Sequence, residues 1–309
     1  MNLQQELNKT GGFKNLELLA KQVVEGFIAG MHKSPFHGFS AEFAEHKIYN
    51  QGESTKHIDW KLYAKTDKLF TKRYDEETNL RCHLIIDNSS SMHYPQVKEF
   101  NLDHLNKIGF SVLASASLMH MLKKQRDAVG MSIYSDTYDY YAPEKGSERH
   151  HQMLLGQLGQ TVISKPLHKK TETYTYLHQI AEKIHRRSMI FLFTDMFQTM
   201  TEDVKLYEAL RHLKYNKHEV ILFHVFDSEK ELKFDFDNTP KRFIDVETRE
   251  YINLYPDTIK DDYKDAVNNY FNMLRLKCSQ YGIKYVEADI TKDFDKILMT
   301  FMIERHRFG

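Results

Sequence analysis

The run Asp87-Asn88-Ser89-Ser90-Ser91-Met92 sets oxygen-bearing side chains at alternate positions, Asp87, Ser89 and Ser91. It follows Cys82-His83-Leu84-Ile85-Ile86, a short apolar run with the look of a buried parallel strand. In a loop turning off that strand, such spacing aims one carboxylate and two hydroxyls at a single point. Hard divalent cations take oxygen ligands, and Mg²⁺ prefers an octahedral array while keeping waters. Two further stretches add donors. Thr175 lies in Thr173-Tyr174-Thr175-Tyr176-Leu177, just before an amphipathic helix marked by Leu177, Ile180 and Ile184, and Thr173 competes with it. Asp195 follows a second apolar run, Met189-Ile190-Phe191-Leu192-Phe193. Asp87, Ser89, Ser91, Thr175 and Asp195 would then surround one cation, with two charges among them. If one carboxylate acts through water, the metal stays electrophilic, and its open position suits a carboxylate from a partner. Mg²⁺ is the expected ion, with Mn²⁺ or Ca²⁺ as alternatives.

The same residues have plainer uses. Asp-x-Ser-x-Ser arises as turn and helix-cap chemistry, and Asp195 can cap the helix that follows it. Enzymatic readings find less support. A phosphate-transferring aspartate of the haloacid dehalogenase kind needs a second Asp two residues on, where Ser89 stands. A response regulator needs an acidic pair near the first strand, and Leu84-Ile85-Ile86 supplies none. Gly-x-Ser-x-Gly, Walker A, dinucleotide-type glycine loops and His-Glu-x-x-His are all absent. His150-His151 are neighbours on a predicted helix, point to different sides and are expected to be solvated or capping.

These loops need a scaffold. After residue 80, strands alternate with helices: strands at 82–87, 129–134, 138–141, 189–193, 219–226 and 284–289, with helices between them, a hairpin-like stretch at 230–254 and a last helix at 294–305. That alternation predicts an α/β fold in three layers, a mostly parallel sheet with helices on both faces. Ligands bind such sheets beyond the carboxyl ends of the strands, where Asp87 and Asp195 fall. Residues 1–79 form an N-terminal appendage with one amphipathic helix (Leu16, Leu19, Val23, Phe27) and short strands, set before an α/β domain spanning 80–309. Asp59 is a plausible N-cap for a short helix from Trp60, the sole tryptophan, and Ile58-Asp59-Trp60 reads as a structural clip.

Composition narrows the setting. The chain has 309 residues, 28% of them charged and 41% hydrophobic, which are globular values. Its 43 basic and 43 acidic residues divide as 11 of each before position 80 and 32 of each after it, so no basic arm or stripe announces nucleic acid. No apolar run reaches the roughly 18 residues of a membrane span, and the first residues lack a signal-peptide pattern. Two cysteines, Cys82 and Cys278, are too few for a disulfide framework or zinc ribbon and read as small core residues. The expectation is a cytoplasmic protein without membrane insertion.

Asp-x-Ser-x-Ser after a buried strand, a later loop threonine and an Asp after a further strand resemble the metal-ion-dependent adhesion site (MIDAS) of von Willebrand factor A domains. The flanks narrow the resemblance. Phe43 to Glu53, Ile58-Asp59-Trp60, Lys68 to Tyr74, Asp245 to Glu250 and Tyr281-Gly282-Ile283 are similar to segments of a bacterial family, domain of unknown function 58. The likeness runs from about residue 13 to the end. It departs from the family pattern at Glu53-Ser54-Thr55-Lys56-His57, in the missing Gly before the threonine loop, and in Thr194 standing where Ser is commoner. The resemblance implies a von Willebrand factor A-like fold with Mg²⁺ at the five residues named. It also implies a non-enzymatic adaptor that binds an acidic residue of a partner, a MoxR-type AAA+ ATPase. The alternative is a metal-dependent hydrolase or phosphotransferase on a similar sheet.

Overall fold

The computed structural model describes residues 16–31, 45–48, 60–73, 80–97, 105–135, 138–163, 173–196, 203–245, 249–294 and 296–298. The chain divides into two compact units. The larger comprises the residues up to Ile28 together with those from Leu80 onward, and the smaller spans Ala29–Asn79. The division thus places an edge at residue 80, and the first turns of the N-terminal helix group with the larger unit.

In the smaller unit, β1 (Glu45–Ile48) pairs antiparallel with β2 (Phe70–Arg73), and the short helix α2 (Trp60–Thr66) lies between them in sequence. Trp60 is largely exposed and meets Tyr63 edge-on. Asp59 and Ile58 lie outside the described residues. Helix α1 (Leu16–Met31) buries Leu16, Leu19, Ala20, Val23 and Val24 along one stripe, as their spacing dictates.

The larger unit is built on one six-stranded sheet, ordered β10-β7-β6-β3-β4-β5. Its strands are β3 (Arg81–Asp87), β4 (Ala128–Tyr134), β5 (Tyr138–Lys145), β6 (Met189–Thr194), β7 (Glu219–Phe226) and β10 (Lys284–Asp289). All neighbours run parallel except β5, which pairs antiparallel with β4 at one edge. Residues 82–87 and 189–194 are buried without a break, because a parallel strand covered on both faces has no polar side to alternate with. Ile85 and Tyr134 pack with Leu177 and Ile180 of α5 (Thr173–Lys183), Leu206 and Leu210 of α6 (Asp203–Tyr215), and Leu274 and Cys278 of α7 (Lys260–Tyr281). Leu84 and Ile86 alternate with Ile85 and face the other way, where α3 (Lys107–Lys124) crosses β3, β4 and β7 and meets α4 (Glu148–Ile163). The architecture is the three-layer α/β arrangement that the alternation predicts.

Local chemistry sets several boundaries. Asn106 caps α3 by accepting the Gly109 N–H at 2.8 Å, and the middle of α3 is buried all round, as its small apolar sequence requires. Gly282 ends α7 at φ +65°, and the Ile283 N–H returns to the Cys278 carbonyl at 2.8 Å. Cys82 and Cys278 are free, buried thiols.

The stretch read as hairpin-like resolves into a tight turn at Ser228–Leu232 and a hairpin of β8 (Lys241–Ile244) and β9 (Tyr251–Leu254). One expectation is corrected: His150 and His151 are both buried rather than solvated. His150 Nε2 donates to the Val129 carbonyl at 3.0 Å, which moors α4 to the sheet. Of the last predicted helix, 294–305, only part falls among the described residues.

Candidate functional site

Chain order along the sheet creates the site. From β3 the chain moves one way to β4 and β5, then crosses back to β6 and on to β7 and β10. The strand order therefore switches between β3 and β6, and the crevice beyond their carboxyl ends is where open α/β sheets bind ligands. Ile86 pairs with Phe193 across that junction, so Asp87 and Thr194 emerge side by side.

Asp87 is 2% exposed. Its Oδ1 accepts the Ser89 N–H at 2.9 Å and its Oδ2 accepts the Thr194 hydroxyl at 2.7 Å. The first bond folds the chain back on itself, the side-chain turn for which Asp is favoured. Ser89, also buried, then places its Oγ 3.0 Å from that of Ser91. The Asn88 N–H donates to the Tyr134 carbonyl at 2.7 Å, and His93 Nε2 donates to Asn88 Oδ1 at 3.0 Å. Burial pushes the His93 imidazole down to about 4, so it serves here as a neutral donor. The structure thus brings Asp87, Ser89 and Ser91 together in one braced loop.

Asp195 follows Thr194 directly and is equally buried. Its backbone carbonyl accepts a hydrogen bond from His224 Nε2 at 2.9 Å, while His224 Nδ1 accepts the Tyr285 hydroxyl at 2.6 Å. Burial lowers the His224 imidazole to about 4, consistent with a neutral ring donating through Nε2. The Asp195 carboxylate itself meets Lys107 Nζ at 2.8 Å, and the same ammonium meets Glu231 Oε1 at 2.5 Å. Burial works against the Lys107 charge, but Asp195 and Glu231 outweigh it and hold the ammonium above its ordinary range. Burial pushes the Glu231 carboxyl up, and Lys107 opposes that rise.

The Asp87 carboxylate senses the negative charge of Asp195. Burial first, and the negative charge of Asp195 second, raise the Asp87 carboxyl to about 6, against the pull of the Ser89 N–H and the Thr194 hydroxyl. Such a pair is under-neutralised. The Tyr134 hydroxyl, fully buried beside Thr173 and Thr194, lacks a well-directed hydrogen bond. Acidic oxygens and neighbouring hydroxyls make a donor set of the kind hard divalent cations take. Among the described residues no three His, Cys, Asp or Glu side chains group as a metal centre, so any ion here depends on hydroxyl donors.

The threonines divide. Thr173 opens α5, is buried and stands beside the Tyr134 hydroxyl. Thr175 lies two residues further on, half-buried. Lys107 and Glu231, which reach the site from α3 and from the turn after β7, escape a reading of the sequence. Lys107 looks like a solvated first-turn lysine, and Glu231 lies in a charged run, Ser228-Glu229-Lys230-Glu231, that reads as surface.

A second polar chain crosses β3, β4 and β5. Glu144 Oε1 accepts from His83 Nδ1 at 2.7 Å, and His83 Nε2 accepts from the Ser132 hydroxyl at 2.7 Å. The order matches a serine–histidine–acid relay, but neither Ser132 nor His83 has any exposed surface, and the Tyr138 hydroxyl lies 3.3 Å from Ser132 Oγ. As folded, it is a buried clamp between strands.

Among curated proteins, the chain is similar to uncharacterised proteins of Mycobacterium tuberculosis and Mycobacterium bovis, at 21% identity over 214 residues. The match covers 69% of this chain and 64% of theirs, so the chain spans somewhat less than two thirds of their length. Among solved structures, it is similar to BatB of Bacteroides thetaiotaomicron (14% identity, TM-score 0.43) and to an aerotolerance-related membrane protein of Bacteroides fragilis (13% identity, TM-score 0.44). Both cover 74% of this chain, which spans 99% of each. No helix among the described residues is long and apolar enough to cross a membrane. The family model for the protein of unknown function DUF58 matches residues 45–270, and the chain belongs to that family.

Proposed function

We propose that this chain is a non-enzymatic interaction module that offers a divalent cation, Mg²⁺ first, to an acidic residue of a protein partner. Asp87, Ser89, Ser91, Thr175 and Asp195 would hold the ion, on a von Willebrand factor A-like scaffold. When bound, the ion supplies an electrophilic position for the incoming carboxylate. The observation that carries this reading is the braced Asp87–Ser89–Ser91 loop, whose carboxyl is raised by burial first and by its neighbour Asp195 second, at the switch point of the sheet.

The chain's own residues prepare that chemistry. Thr194 and the Ser89 N–H orient Asp87, leaving the two serine hydroxyls gathered beside it. Lys107 engages one oxygen of Asp195, which suits that carboxylate to act through water rather than as a second direct anionic ligand. The resemblance to the family makes a MoxR-type AAA+ ATPase the first partner to test, in a cytoplasmic setting.

The test is capture of such an ATPase by the full chain in Mg²⁺, in excess chelator, and with Asp87→Ala. The proposal expects binding in Mg²⁺ alone. Undiminished capture in chelator and with D87A would defeat it. Metal-dependent turnover of phosphate esters, lost in D87A, would point instead to the hydrolase or phosphotransferase alternative.

A further inference from the structure

Away from the sheet rim, His178 on α5 and His212 on α6 set their Nδ1 atoms 2.8 Å apart. The ring centroids are 5.0 Å apart with planes tilted by 41°, and both side chains are half-buried. Two nitrogens at that distance have room for one proton between them. At least one Nδ1 therefore turns a bare lone pair toward the other ring. Two imidazoles so placed are as close as two ligands on one metal ion. With metal–nitrogen bonds of about 2.0 Å, adjacent ligands are about 2.8 Å apart in a tetragonal site and about 3.3 Å apart in a tetrahedral one.

From this geometry we infer that His178 and His212 form a site for a divalent transition-metal ion, the borderline-soft class of Cu²⁺ and Zn²⁺. The ion sits beside the line between the two Nδ1 atoms and takes a lone pair from each; the ring that carried the Nδ1 proton holds it on Nε2 instead, so both imidazoles bind neutral and no proton is lost. Imidazole suits these ions, whereas Mg²⁺ prefers oxygen, so the site is chemically distinct from the oxygen-rich rim. The 2.8 Å separation is nearest to a tetragonal arrangement, which favours Cu²⁺. No third His, Cys, Asp or Glu joins the pair among the described residues, so water fills the remaining positions and the ion is exchangeable. A bound ion would staple α5 to α6. Because α5 begins at Thr173, the staple would also hold the turn that carries Thr173 and Thr175.

The test uses the full chain. Cu²⁺ is titrated with electron paramagnetic resonance as the readout, and Zn²⁺ is added in thermal unfolding with Mg²⁺ constant. The inference expects one Cu²⁺ equivalent with two coordinated nitrogens. It also expects a rise in Tm on the order of 5 °C at a hundredfold excess of Zn²⁺ over its Kd. His212→Gln should lose both signals, and Asp87→Ala should keep both. His178→Gln is the second variant, should H212Q fold poorly, and circular dichroism checks each fold. Equal Cu²⁺ stoichiometry and an equal Zn²⁺ shift in the wild type and in whichever variant folds would overturn the inference and leave a plain N–H···N hydrogen bond.

Discussion

The Lys107 ammonium lies 2.8 Å from the Asp195 carboxylate, with 1% of the lysine side chain exposed. It supplies one positive charge to two acidic groups, Asp195 and Glu231, the first of which bears in turn on Asp87. A buried charge persists only when paired and hydrogen-bonded, so this pairing is what allows an acidic cluster to sit inside the sheet rim. It also ties the site to the turn after β7. Glu231 accepts the Asp227 N–H through Oε2 at 2.8 Å, and its carbonyl accepts the Tyr263 hydroxyl at 3.0 Å.

Replacing that cation by a chain of similar shape isolates its charge. Lys107→Met should cost about 3–5 kcal/mol in urea unfolding without divalent ions, because Asp195 and Glu231 lose their buried partner. Saturating Mg²⁺ should then stabilise the variant more than the wild type, since an ion at the rim restores positive charge there. A variant as stable as the wild type, or indifferent to Mg²⁺, would contradict this assignment.

Asp87 makes stability depend on pH in a direction opposite to an ordinary ion-paired carboxylate. Its folded value of about 6 lies above the ordinary 3.8 of an aspartate, so the folded chain binds the proton more tightly. The contribution is fully present below about pH 3.8 and is lost as pH rises through about 6. A shift of this size corresponds to roughly 3 kcal/mol. Asp87→Asn should therefore gain on the wild type by up to about 3 kcal/mol between pH 4 and pH 7 in metal-free urea unfolding. In the same window, Mg²⁺ binding to the wild type should weaken as pH falls below 6, where protons compete for the carboxylate. Parallel stability curves for the two proteins would refute the assignment.

Periodicity made most of this fold legible. Residues 82–87 and 189–194 announce buried strands by uninterrupted apolar runs, residues 284–289 announce an edge strand by place in the alternation, and all three lie within a residue of their expected bounds. Asp87, Ser89 and Ser91 were legible because three donors sharing one short loop need no knowledge of tertiary structure. Lys107 and Glu231 were not, because a lysine in the first turn of a helix and a glutamate in a charged run look solvated until 124 residues of chain bring them together. His178 and His212 stayed hidden for the same reason, being 34 residues apart on separate helices. His83 was masked by its neighbours, since an apolar strand gives no sign that Ser132 and Glu144 will satisfy both of its ring nitrogens. His150 was misread because adjacency on a helix says nothing about a strand carbonyl waiting beneath it.

The buried clamp across β3, β4 and β5 depends on a missing side chain. A Cβ on Gly130 would stand 2.6 Å from His83 Nδ1, 2.9 Å from the Ala142 carbonyl oxygen and 3.0 Å from the Glu144 N–H nitrogen. Two of those atoms are backbone, and His83 is held by Glu144 and Ser132, so nothing nearby yields cheaply. Gly130→Ala should destabilise the chain by about 1–3 kcal/mol through overpacking, with more if the His83–Glu144 bond breaks. The denaturant midpoint measures it, and an unchanged midpoint would mean that β5 can move away from β4.

Thr194 offers the sharpest separation of hydroxyl from shape. Its Oγ1 donates to Asp87 Oδ2 at 2.7 Å and accepts the Met196 N–H at 3.1 Å, so one hydroxyl fixes both the first carboxylate and the backbone just after the second. Thr194→Val keeps the volume and the β-branch and removes only this chemistry. Asp87 then loses a hydrogen bond to its charged form, and its carboxyl should rise further. The cost should be about 1.5–3 kcal/mol at pH 7, with a smaller loss at pH 4, where Asp87 is largely protonated. Mg²⁺ affinity should fall in T194V, because the carboxylate that would hold the ion is no longer oriented. Thr194→Ser restores the hydroxyl without the methyl group and should recover the affinity, at a modest packing cost of about 1 kcal/mol. If T194V binds Mg²⁺ as the wild type does while T194S does not, then the methyl group, and not the Asp87 hydrogen bond, governs this end of β6.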